Sequence, residues 1–171
     1  MPQLRVERLA DMTALCDAVA EALIAVCRER QEAGAVPSVV LTGGRAGEQV
    51  LIAVRDHAER DTVAWSRVRF LWGDERWVPA GHEDRNDLLA DQSLFAAVDI
   101  DPTLVHRVAG SDSGVSLDEA AAEYADVAAR IERFDVVLCG VGEDGHVASL
   151  FPGRSEALQG DDGAAALPVR E

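Results

Sequence analysis

The segment FDVVLCGVGEDGHVASLFPG, Phe134 to Gly153, brings two carboxylates and an imidazole close together: Glu143, Asp144 and His146. Its first part is apolar and β-prone, and glycines then interrupt it. That pattern predicts a buried strand running into a loop. An imidazole two residues from an aspartate suits acid–base work, because it titrates near neutral pH. Loops at the C-terminal ends of strands are where open α/β sheets bind and transform ligands. Glycine lets such a loop bend and lets a ligand approach the backbone.

Two further loops carry chemistry. Thr42-Gly43-Gly44-Arg45 follows an apolar run. Glycines between a strand and a helix free backbone N–H groups for an anion, and the helix dipole adds partial positive charge. Thr42 and Arg45 can donate further hydrogen bonds. The plainer alternative is a tight turn that needs glycine. Gly73-Asp74-Glu75-Arg76 ends another apolar run and offers acid–base groups beside a guanidinium fork. Its plainer alternative is a solvated loop with an internal ion pair.

Other chemistries fit less well. Gly140, Gly142 and Gly145 match G-x-G-x-x-G after a strand. In a dinucleotide site, however, Glu143 and Asp144 would stand where the pyrophosphate belongs. Phe151-Pro152-Gly153 stops a following helix, and no second βα unit with a ribose-binding acid comes after it. His57, His82, His106 and His146 are scattered without metal-ligand spacing, so no metal site is expected. A serine nucleophile in G-x-S-x-G is absent. Cys16, Cys27 and Cys139 form no paired motif and are expected to be small buried hydrophobes.

The formal charge of -15 argues against a nucleic-acid partner. No lysine occurs; all 16 basic residues are arginines. A small anion can still bind where an arginine or a helix N-terminus opposes the global field. No apolar run approaches the ~20 residues of a membrane helix, and no signal pattern opens the chain, so a cytoplasmic location is expected. The 171 residues suffice for one domain, expected to span 1–171.

The loops need a frame, and the patterning predicts one. Asp11 to Glu32 reads as a helix capped by Asp11 and ended by Gly34, with Met12, Leu15, Val19, Leu23 and Val26 at helical spacing. Val36–Leu41 is a strand and Glu48–Glu59 a helix. Val68–Trp72 is a strand, Asn86–Ala97 a helix, and Leu104–Val108 a weak strand. Ser116 and Glu119 form a capping box before an Ala-rich helix to Ile131. Val136–Cys139 is the last strand, and Ser155 to Glu171 reads as a loop or frayed end. Alternating strands and helices with short links predict a Rossmann-like α/β fold: an open, mostly parallel sheet with helices on both faces.

Taken in order, GG, GDERWVP...N, VHRVAG, the Ala-rich helix with Tyr124, and GVGEDGHVASLFPG resemble the 6-phosphogluconolactonase family over nearly the whole chain. Glucosamine-6-phosphate deaminases share the fold and a similar glycine–histidine loop. They continue with an Ala-Phe-Asn-Glu-Pro type sequence, where this chain has Val147-Ala148-Ser149-Leu150-Phe151-Pro152. The resemblance implies hydrolysis of 6-phospho-D-glucono-1,5-lactone, with a small phosphorylated sugar lactone as partner and no cofactor. His146 is then the candidate general base and Asp144 its orienting carboxylate. Arg76 would hold phosphate or carbonyl oxygen, and Thr42, Gly43 and Gly44 form a phosphate cradle. Asp74 lies in the pocket by similarity to the deaminases. Alternatives are deaminase or isomerase chemistry, or a non-catalytic sugar-phosphate-binding domain.

Two departures from the family pattern stand out. Gly43-Gly44-Arg45-Ala46-Gly47 replaces the usual Gly-Gly-Ser-Thr-Pro, exchanging hydroxyl donors for a guanidinium. Family members also continue into a Ser-Pro-Lys-Pro-Pro segment and further elements beyond the stretch seen here. A sheet lacking them is expected to expose an edge, which a homo-oligomer would cover.

Overall fold

A computed structural model describes residues 5–153 together with 166, 168 and 169. The expectation for Ser155 to Glu171 lies almost wholly outside them. Three strands form a parallel sheet: β1 (Ser38–Leu41), β2 (Arg69–Trp72) and β3 (Val136–Val137), in the order β2-β1-β3. Ser38 to Leu41 pair with Arg69 to Trp72, and Val39 and Val40 pair with Val136 and Val137. All three strands therefore end on the same side, where the three loops gather.

Helix α1 (Met12–Glu32) begins where expected, with the Asp11 carboxylate accepting from the Ala14 N–H at 2.9 Å. Its buried stripe differs from the expected one. Cys16, Ala20, Leu23, Ile24 and Cys27 face the core, whereas Met12 and Leu15 are exposed. Small side chains at Cys16, Ala20 and Cys27 let the helix close on its neighbours, and close packing outweighs the larger apolar residues beside them. Leu23 and Ile24 are fully buried, worth about 1.5–3 kcal/mol each.

Helix α2 (Gly44–Asp56) starts four residues before Glu48, the expected start, and ends before Glu59. Three glycines in GGRAG suggest a loop, yet Gly47 lies within the helix. A side chain there would strike the Thr42 carbonyl, so glycine lets α2 sit tightly over the end of β1. Helix α3 (Asn86–Ser93) gives way to a 3-10 turn over Phe95–Ala97. Helix α4 (Leu117–Ala129) carries the full Ser116–Glu119 capping box.

Val39, Leu41, Phe70 and Trp72 pack into one cluster with Leu23 and Ile24 of α1, Leu51 and Val54 of α2, and Leu94. Val40 and Leu71 point to the opposite face and are buried too, so both faces of the sheet are covered. Two expected strands are shorter. Leu104–Val108 contributes one bridge, Val105 to Phe70, because a 3-10 turn over Pro102–Leu104 occupies its start. Past Val137, the segment adds a single bond from the Leu138 N–H to the Val40 carbonyl before the glycines. Cys16 and Cys27 are buried as expected, but Cys139 is exposed, since β3 ends just before it.

Two anchors fix the strands that carry the loops. The buried Asp135 carboxylate accepts from the Ser38 N–H at 3.0 Å and pairs with Arg30 at 2.9 Å and Arg133 at 3.0 Å, tying β3 to β1 and α1. The Tyr124 hydroxyl of α4 donates to the Trp72 carbonyl at 3.0 Å and accepts from the Trp72 N–H at 2.7 Å. It thus satisfies the end of β2, and burial pushes its phenol up to about 12. Among the described residues no helix is long and apolar enough to cross a membrane.

Candidate active site

The loop after β3 builds a supported imidazole. Asp144 Oδ1 lies 2.5 Å from His146 Nδ1 and also accepts from the His146 backbone N–H at 3.2 Å. The backbone bond, then the imidazole, holds the Asp144 carboxyl below its ordinary range, so it stays ionised. The His146 ring lies against Gly142, where a side chain would overlap it, and against Phe151, 4.9 Å between centroids. Gly145, at φ 88°, makes the turn that brings His146 back to Asp144.

The loop after β2 divides its three charged residues. Glu75 is buried and turned inward. Its carboxylate accepts from the backbone N–H groups of Arg76 (2.8 Å), Asn86 (2.8 Å) and Asp87 (3.0 Å). It also faces the buried Arg85 guanidinium at 3.6 Å. Burial pushes its carboxyl above the ordinary value, against the pull of these N–H groups and Arg85. Arg85 in turn grips Asp87 through two bonds of 2.8 and 2.9 Å. The internal ion pair thus joins Glu75 to Arg85, not to Arg76. Beside the anchored Glu75, Asp74 is half-buried and Arg76 exposed.

The loop after β1 meets both others. Gly43 is the N-cap of α2 and packs against the Asn86 side chain, which a Cβ there would overlap. Gly140 passes near Thr42, whose hydroxyl a Cβ there would meet at 3.9 Å. Gly44 and Arg45 line an open hollow of about 420 Å³ with Arg76, Arg85 and Asn86, and with the carboxylates of Glu48, Glu83 and Asp84. Neither Arg45 nor Arg76 has a carboxylate partner within salt-bridge distance among the described residues. Both guanidiniums stand near the N-terminus of α2, where partial positive charge also favours an anion, while Glu48, Glu83 and Asp84 place carboxylates elsewhere in the same lining.

Of the residues singled out from the sequence, Gly44, Arg45 and Arg76 share this hollow. Thr42 and Gly43 stand next to it, and Asp74 is reached through Asn86, whose Nδ2 donates to the Asp74 carbonyl at 2.9 Å. Asp144 and His146 form their own pair outside the lining of the hollow. Ser149 bridges the two parts, its hydroxyl donating to Asp74 Oδ2 at 2.9 Å. Sequence reasoning did not foresee Glu75 as a cap, or the parts of Arg85 and Ser149. Asn86 entered only as a helix start and as the asparagine of GDERWVP...N, with no role assigned. Among the described residues no cluster of His, Cys, Asp and Glu could hold a metal ion.

A parallel sheet with these loops gathered past the strand ends, one bearing a carboxylate–imidazole pair, defines a Rossmann-like α/β protein. The chain belongs to the glucosamine-6-phosphate isomerase/6-phosphogluconolactonase family, whose sequence profile matches residues 10–171. It is 43% identical over 162 residues to a 6-phosphogluconolactonase from Streptomyces coelicolor, covering 88% of this chain and 61% of that protein. The crystal structure of a 6-phosphogluconolactonase from Thermotoga maritima superposes with a TM-score of 0.71 at 29% identity, over 84% of this chain and 62% of that one. A monomeric glucosamine-6-phosphate deaminase superposes at 0.78 but is 15% identical, over 89% and 61% of the two chains, and shares the fold. The chain thus spans about three fifths of the length of these relatives.

Proposed function

We propose that this chain is a 6-phosphogluconolactonase domain, formed by residues 1–171, that hydrolyses 6-phospho-D-glucono-1,5-lactone to 6-phosphogluconate in the cytoplasm. The observation that carries the proposal is the 2.5 Å contact between Asp144 and His146 Nδ1 on the loop after β3. With Asp144 accepting from Nδ1–H, the free lone pair is at Nε2. The relatives at 36–43% identity, named as 6-phosphogluconolactonases, support the same reading.

In this mechanism Nε2 takes a proton from water as the water oxygen attacks the lactone carbonyl carbon. The ionised Asp144 stabilises the imidazolium that forms. The bond between that carbon and the ring oxygen then breaks. The ring oxygen leaves with the proton returned by His146, and the new carboxylic acid ionises. Arg45, Gly44 and the start of α2 receive the phosphate, with Thr42 and Gly43 completing the cradle. Arg76 holds a phosphate or carbonyl oxygen. Asp74, between the hollow and Ser149, accepts from a sugar hydroxyl. The steps call on no cofactor.

The test is hydrolysis of the lactone measured above its spontaneous rate. His146→Ala is expected to remove roughly 10²–10⁴-fold of the enzymatic excess, as loss of a general base does. Full activity in that variant would reject the role of His146. Saturable binding of 6-phosphogluconate without turnover by the unaltered chain would instead identify a binding domain.

A further inference from the structure

Ser149 occupies an unusual local geometry. Val147 and Leu150 exchange backbone hydrogen bonds of 3.3 and 2.9 Å, so Ala148 and Ser149 are the central residues of a tight hairpin. Hairpins with positive φ at the first central residue normally place glycine there. Here that residue is Ala148, at φ 53°, the only non-glycine with positive φ among the described residues. Non-glycine residues persist in this region when their surroundings over-determine them, and they cluster at functional sites. What the turn accomplishes is visible in the next residue: it delivers the Ser149 hydroxyl to Asp74 Oδ2, 2.9 Å away and 75 positions earlier in the chain.

Asp74 differs from its neighbour Glu75 in what it accepts. Glu75 is saturated by backbone N–H groups and capped by Arg85. Among the described residues, Asp74 Oδ2 receives the one hydroxyl and Oδ1 only the distant Asn86 amide at 3.5 Å. An ionised carboxylate offers about four lone-pair sites, so most of its capacity stays open to a ligand. A carboxylate meant to meet a ligand must still be held in one rotamer, and Ser149 is the group that does so.

We propose that Ser149 is a positioning residue: its hydroxyl fixes the Asp74 carboxylate and latches the loop bearing Asp144 and His146 onto the loop bearing Asp74 and Arg76. The acid–base pair and the ligand-facing carboxylate then keep one spacing. This inference rests on the lactonase reading of the site. Groups that orient metal ligands commonly change activity about 10–100-fold when removed, and a loss of the same order is expected for a group that orients a ligand-facing carboxylate. The 420 Å³ hollow is lined by other residues, so removing the Ser149 hydroxyl takes no direct contact from a ligand held there.

The test compares Ser149→Ala and Ser149→Thr in the full chain, with kcat, KM and thermal midpoint measured for each. Ser149→Ala is expected to lower kcat at least about tenfold with KM changed less than about threefold. Ser149→Thr keeps a hydroxyl and is expected to restore most of kcat. In a double-mutant cycle, the midpoint shifts of Ser149→Ala and Asp74→Ala are expected to be non-additive. Normal kcat in Ser149→Ala, while His146→Ala is inactive, overturns the inference and leaves the lactonase reading standing. So do strictly additive midpoint shifts, or a loss that Ser149→Thr shares. An unaltered chain without turnover overturns both.

Discussion

Arg45 stands where electrostatics disfavour it. It lies in the first turn of α2, beside the partial positive charge of the helix N-terminus, with no carboxylate partner within salt-bridge distance among the described residues. A cation there costs about 0.3–1 kcal/mol relative to a neutral residue. Under the lactonase proposal a phosphate dianion reverses the sign, since it is attracted by both the guanidinium and the helix. Arg45→Ser is therefore expected to raise the thermal midpoint slightly while raising KM several-fold and leaving kcat nearly unchanged. Kinetics and thermal melts on the same preparations check this, and a KM equal to that of the unaltered chain would remove Arg45 from the site. The sequence showed Arg45 as an exchange of hydroxyls for a guanidinium, but not its open position. Conversely, Glu75 looked like a third site group in GDER. Only the fold shows it buried, because two of its backbone partners, Asn86 and Asp87, and its counter-charge Arg85 lie 10 or more residues further on.

Glu75 gives helix α3 its orientation. The first N–H groups of an α-helix lack partners within it, and the Glu75 carboxylate takes two of them, from Asn86 and Asp87. Asn86 then packs on Gly43 and holds the Asp74 carbonyl, so one carboxylate sets the relation between α2, α3 and the β2 loop. Glu75→Ala would leave those N–H groups unpaired and Arg85, whose side chain is 2% exposed, with one fewer buried counter-charge. A loss of about 3–5 kcal/mol is expected, as for other broken buried pairs. Chemical denaturation at neutral pH measures it, and a loss below 1 kcal/mol would show that α3 is held by something else. Elements whose signals are local were legible in advance: the Asp11 cap, the Ser116–Glu119 box and the apolar runs of β1 and β2. Those decided by contacts distant in sequence were not. The early start of α2 depends on Gly47 clearing the Thr42 carbonyl, and the rotated face of α1 depends on what packs against it.

The whole molecule opposes its own proposed substrate. A phosphate dianion about 20 Å from the centre of 15 net negative charges meets about 6 kcal/mol of unscreened repulsion even at the permittivity of water. Attraction at Arg45 and Arg76 acts over a few ångströms, well inside the Debye length, so salt weakens it less than it weakens the long-range field. The acidic surface was plain from composition. That Arg45 and Arg76 converge at one hollow was not, because they lie 31 residues apart, one in the first turn of α2 and one on the loop after β2, and meet only through the parallel pairing of β1 and β2. At low ionic strength the screening length is ~30 Å and the charge of the whole chain reaches an approaching ligand; near 0.1 M it is ~10 Å and only the neighbourhood counts. Added salt is therefore expected to raise kcat/KM several-fold between 0.01 and 0.1 M, through KM rather than kcat. Most anion-binding sites on basic proteins show the reverse, since there salt screens an attraction. A steady fall in kcat/KM over that range would mean that the local arginines, and not the global charge, govern encounter. Arg45→Ser separates the contributions: it should raise KM at every salt concentration while steepening the recovery, because less local attraction remains to offset the field.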